Sequence, residues 1–116
     1  MSHEIPPERQ SIRYVKLRNE RSFPVHLLVM DATGRQKVWG NGVSVKRKTD
    51  AVFDLSNIAG IQNGSSYRFG VSRLIGSNVI SDQEYMVDFA SNAVGLFTYK
   101  NTRGSKVTLD GYEGLE

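Results

Sequence analysis

The chain contains no cysteine. A disulfide framework, a thiolate zinc site and thiol catalysis are therefore excluded, and the composition fits a reducing compartment. Histidine is nearly as scarce, with His3 near the start and His26 inside an apolar stretch. No HxH, HExxH or carboxylate-rich calcium loop occurs, and Asp31–Gly34 (DATG) offers too few oxygen donors for one. GxSxG, GxGxxG and the P-loop are absent as well. Asp82 with Glu84, and Asp50 with Asp54, are carboxylate pairs, but on strands they read as solvent-face charges. No catalytic residue, metal ligand or cofactor is assigned, and the expectation is a protein that is not an enzyme. Long apolar runs are missing too. The longest, Val25–Met30, is interrupted by His26 and falls far short of a membrane span. The opening MSHEIPPERQ lacks the apolar core of a signal peptide. The expected location is the cytoplasm, with an unconventional export route as the alternative.

Helical periodicity is also missing. What is present is short alternation of apolar and polar residues between Gly-, Asn- and Ser-containing turns. Ile12–Arg18 puts Val15 and Leu17 on one face and Tyr14, Lys16 and Arg18 on the other. Val25–Asp31 is the strongest apolar strand. Lys37–Trp39 and Val43–Lys46 read as one strand interrupted at Gly40-Asn41-Gly42 by a bulge or turn. Further strands are expected at Ala51–Leu55, Tyr67–Leu74, Ser81–Phe89, Val94–Lys100 and Lys106–Asp110. Leu55, Ile58 and Ile61 lie three apart, which suits a single helical turn plugging one end of a core. The pattern predicts an all-β, antiparallel β-sandwich of seven to nine strands, immunoglobulin-like or related, with a barrel as the runner-up. Residues 11–112 form the domain, residues 1–10 a loose lead-in and residues 113–116 a polar tail. The expected core is drawn from Val15, Leu17, Leu27, Val29, Phe53, Leu55, Tyr67, Phe69, Val71, Tyr85, Val87, Phe89, Leu96 and Phe97.

The formal net charge is +3. It is uneven along the chain, basic over residues 1–50 and slightly acidic after that. Three candidate surfaces follow. Trp39 beside Gly40-Asn41-Gly42 has glycan chemistry: a ring face for a sugar and an amide that both donates and accepts. Asn63-Gly64-Ser65 followed by Tyr67 adds a second polar loop. Asn-Gly also makes type I′ hairpin turns, which explains both loops without a ligand. Lys46, Arg47 and Lys48, and Arg13, Lys16 and Arg18 on the first expected strand, could serve a polyanion. The favoured expectation is a non-catalytic binding module. It would recognise a glycan or protein through loops at one end of the sandwich, using Trp39, Asn41, Arg47, Asn63 and Tyr67. One alternative is a weak polyanion or nucleic-acid binder using the basic N-terminal half, another is a small enzyme or enzyme inhibitor without a readable motif, and pairing of edge strands between copies is a route to a homo-oligomer.

Overall fold

The structure is a computed structural model, and it describes residues 11–40, 44–73, 77–101 and 105–114. Ten strands follow in order. They are β1 (Tyr14–Asn19), β2 (Val25–Asp31), β3 (Lys37–Trp39), β4 (Ser44–Val45) and β5 (Asp50–Asp54). Then come β6 (Ser66–Arg73), β7 (Val79–Ile80), β8 (Tyr85–Met86), β9 (Ala93–Asn101) and β10 (Ser105–Gly114). They build two sheets packed face to face, an all-β sandwich, with no closed barrel among the described residues. One sheet runs β10-β9-β1-β5. Its β1–β9 pair is parallel, while β1–β5 and β9–β10 are antiparallel. In the other sheet β2 and β6 form the centre. Its outer positions are each filled by two short pieces, β3 and β4 along β2, and β7 and β8 along β6.

Those broken edges explain why ten segments appear where seven to nine were expected. Residues 81–89, expected as one strand, pair with β6 only at Tyr85 and Met86. The break has a physical cause at Ser81. Its hydroxyl is buried, accepts the Phe69 N–H at 3.3 Å and donates to the Gln83 carbonyl at 2.8 Å. A side chain that replaces ladder hydrogen bonds ends the ladder. After Met86 the chain crosses between sheets, where Val87 forms a parallel bridge with Ile12. The last strand continues to Gly114, past the expected domain boundary, through an irregularity between Leu109 and Gly111.

The core lies between the sheets. Val15 and Leu17 of β1 face Leu27 and Val29 of β2, with Phe69, Tyr85 and Phe97 stacked among them at centroid distances of 5.3–6.4 Å. Burying each large apolar side chain contributes roughly 1.5–3 kcal/mol. The single helical turn is present as a 3-10 turn at Leu55–Asn57, and Leu55, Ile58 and Ile61 are buried at the end of the core. Three expected core residues are only half-buried. Phe53 and Phe89 pack on the margin, and Leu96 lies on the outer face of its sheet across from Lys16. Conversely Leu28, on the outer face of β2, is fully buried. A side chain at Gly40 would crowd it, so the backbone at Gly40 lies over it. Gly70, across from Leu28, lies so close to the Val79 backbone that any Cβ would collide with its carbonyl.

Arg13 and Asp54 clamp β1 to β5 with paired hydrogen bonds of 3.1 and 3.0 Å. Asp54 also accepts from the Ser56 N–H and hydroxyl, so one carboxylate caps the 3-10 turn. Chiefly through the Arg13 hydrogen bonds, its pKa falls from 3.8 to about 2. A depressed carboxylate stabilises the fold fully above its unfolded value and loses that contribution as pH falls through its folded value. Wild type should therefore lose stability between about pH 4 and pH 2 more steeply than Asp54→Asn, as measured by urea unfolding at a series of pH values.

Candidate functional site

Of the five residues singled out in the sequence, the four that lie among the described residues do not converge. Trp39 is half-buried, its ring edge-to-face with Phe53 at 6.3 Å and 68°. It belongs to β3 and Phe53 to β5, so the pair closes one open side of the sandwich between the two sheets. Tyr67 is buried, and its hydroxyl accepts the Gln62 N–H at 2.7 Å. Asn63 is exposed, but its side-chain oxygen accepts the Phe89 N–H at 2.8 Å. The Gln62–Ser65 turn has positive φ only at Gly64 (+85°), which makes it type II and not the expected type I′. Asn41 lies outside the described residues. Arg47 is exposed in the turn between β4 and β5.

Strand direction separates these positions. Tyr67 pairs with Asp31 at the C-terminal end of β2, whereas Val45, just before Arg47, pairs with Val25 at its N-terminal end. Seven strand residues at about 3.3 Å each put these ends about 20 Å apart. Arg47 thus sits at the opposite end from Asn63 and Tyr67.

The end that holds Arg47 is built around Asn19. Period-two alternation along β1 sends Val15, Leu17 and Asn19 inward, so a polar amide terminates an apolar row. It is fully buried and must be satisfied by the protein. Its Nδ2 donates to the Phe23 carbonyl at 2.6 Å and the Val45 carbonyl at 3.1 Å. Its Oδ1 accepts the Arg21 N–H at 2.9 Å. Its backbone N–H donates to Thr49, and its carbonyl accepts the Lys48 N–H at 2.7 Å. Five bonds from one residue join the 20–24 connection, the end of β4 and the 46–49 turn. Lys48 is held at φ +58°, a left-handed conformation unfavourable for a side-chain-bearing residue, and its Nζ donates to the Glu20 carbonyl.

These connections carry most of the positive charge. Lys46, Arg47 and Lys48 are exposed on one turn, and Arg21 lies over the Tyr99 ring at 5.6 Å. Arg73 is paired with Val25 across the sheet. Lys100 and Lys106 face each other across the β9–β10 hairpin. With Arg18 there are, among the described residues, eight basic side chains at this end against two carboxylates, Glu20 and Asp50, a net of +6. Both carboxylates are engaged by Arg18. Over the remaining described residues five basic side chains meet seven acidic ones, a net of −2. At the tip of the 20–24 connection stands Phe23, 72% exposed and the most exposed large apolar side chain among the described residues. Three of these cations come from the second half of the chain, where sequence reading saw only mild acidity. Lys100 ends one expected strand and Lys106 opens the next, and that symmetry is the signal that could have placed them.

The outer sheet face, with its Tyr14, Lys16 and Arg18, offers no such field. Lys16 pairs with Glu113, Arg18 with Glu20 and Asp50, and Arg13 beside them with Asp54. A different feature lies on the side of the sandwich. Between the free edges of β10 and β7–β8 an open groove of about 360 Å³ is lined by Asp82, Gln83, Tyr85, Val107 and Asp110 among others. Among the described residues no group of three or more His, Asp or Glu could hold a metal, and no helix is long and apolar enough to cross a membrane. No protein-family model, curated protein or solved structure matches the chain.

Two substitutions check this assignment. Asn19→Ala leaves buried carbonyls and an N–H without partners and should lower stability by about 3 kcal/mol in urea unfolding. Trp39→Ala removes a ring shared by both sheets and should cost about 2 kcal/mol while leaving any affinity for a ligand at the basic end unchanged.

Proposed function

We propose that this protein is a non-catalytic binding module that engages a polyanionic partner through the loops at one end of its sandwich. The observation that carries the reading is the net charge of +6 that the described residues gather at that end from five separate connections and strand ends. Cations on a rigid scaffold raise the local concentration of an anion and hold it without reorganisation. Arg47 keeps the role expected of it, joined now by Lys46, Lys48, Arg21, Lys100 and Lys106. Trp39 and Tyr67 act as packing residues and Asn63 as a turn anchor. The cytoplasm remains the proposed location.

A glycan is the second reading, and the side groove favours it. Asp82, Gln83 and Asp110 supply acceptors and donors, the mixture that sugar hydroxyls require. Edge pairing between copies is the lesser possibility. Lys106 and the irregularity at Asp110 on the free edge of β10 both oppose it.

Heparin, used as a generic polyanion, separates these readings. Affinity should fall steeply between low and physiological salt, and the double change Lys46→Glu with Arg47→Glu should weaken it at least about tenfold. Binding that ignores salt and is instead abolished by Asp82→Asn would move the site to the groove.

A further inference from the structure

The basic end has a property that a simple polyanion site does not need. Phe23 projects from its tip with 72% of its surface in water. The ring is not on a slack loop. Its carbonyl is held by the Asn19 amide at 2.6 Å, the neighbouring Arg21 N–H is held by the same side chain, and Pro24 fixes the following backbone. The fold therefore keeps an apolar ring outside, next to Lys46, Arg47 and Lys48, which the same amide positions through Val45 and the Asn19 carbonyl. The other exposed large apolar side chains among the described residues, Val52 and Met86, lie on β5 and β8 and not among these cations.

Among polyanions, this combination selects by chemistry. A single-stranded nucleic acid is gripped by successive aromatic platforms, and only one ring projects here. An anionic glycan offers hydroxyls and charges but no apolar medium for a ring on a loop tip. An anionic bilayer offers both parts. Its headgroup phosphates and carboxylates meet the lysines and arginines, and its acyl boundary receives the ring. We infer that the basic end docks on an anionic phospholipid surface, with Phe23 entering the boundary between headgroups and acyl chains and the surrounding cations resting on the headgroups. The inference rests on the anion-binding reading of the same end.

The test uses phosphatidylcholine vesicles with and without phosphatidylserine, and heparin as an anion without a bilayer. The protein should sediment with the phosphatidylserine vesicles only. Phe23→Ala removes an exposed ring and leaves the fold intact. It should weaken vesicle binding about tenfold while heparin affinity stays unchanged. The absence of cysteine permits a second readout. An environment-sensitive dye on Ser22→Cys should shift to the blue on these vesicles, and the same dye on Gln62→Cys, at the other end, should not. Equal vesicle binding by Phe23→Ala and wild type, or no shift at position 22, overturns the insertion. Heparin binding without vesicle binding overturns the membrane and leaves the anion site standing. Failure with both probes at low salt overturns both.

Discussion

The side-chain amide of Asn19 is the constraint on which one end of this molecule depends. It occupies an inward position at the end of an apolar row, where an unsatisfied amide would be costly, and the surrounding chain supplies every partner it needs. Because those partners come from three different segments, satisfying one side chain fixes the relative positions of all three. The left-handed backbone of Lys48 is tolerated within this network, whose hydrogen bonds hold it from both the backbone and the side chain.

That arrangement has an electrostatic consequence. Arg21, Lys46, Arg47 and Lys48 are presented on segments tied to a common point, and Lys100 and Lys106 stand directly opposite one another on the adjoining hairpin. Glu20 and Asp50 are both drawn to Arg18, and Glu20 is held below the usual carboxylate range chiefly by its hydrogen bond from Arg18. Mutual repulsion at this end is a standing cost that the core and the Asn19 network offset. Along the flank of that sheet the opposite solution holds, since Arg13 and Lys16 each have their own carboxylate. The molecule is thereby polarised, with a neutralised flank and, among the described residues, a tip of net positive charge.

Much of the scaffold was legible in the sequence, because strand alternation is a local signal. Val15 and Leu17, Leu27 and Val29, and Phe69 and Val71 are buried as their spacing predicts, and the Leu55–Ile58–Ile61 plug is in place. The failures have local causes as well. Phe53 and Leu96 satisfy the alternation or the composition of a core, but Phe53 sits on an edge strand and Leu96 faces outward. Leu28 is buried because a later segment covers the outer face of β2, which no window of sequence around it could reveal. The candidate site was the least legible part. Trp39 and Tyr67 have ligand-like chemistry in isolation, yet one ring bridges the two sheets and the other hydroxyl closes a turn.

The sequence by itself determined the class of fold, the inward rows of the core and the absence of thiol chemistry, since each follows from residue type and short-range period. Only the tertiary structure decided where the charge lies. A chain that is basic in its first half becomes a molecule that is basic at one end, because strand direction sends Arg73, Lys100 and Lys106 back to the turn that carries Lys46, Arg47 and Lys48. The same geometry put Arg47 about 20 Å from Tyr67. Proximity between distant residues is set by strand pairing, and pairing is a property of the folded sheet, not of any single strand.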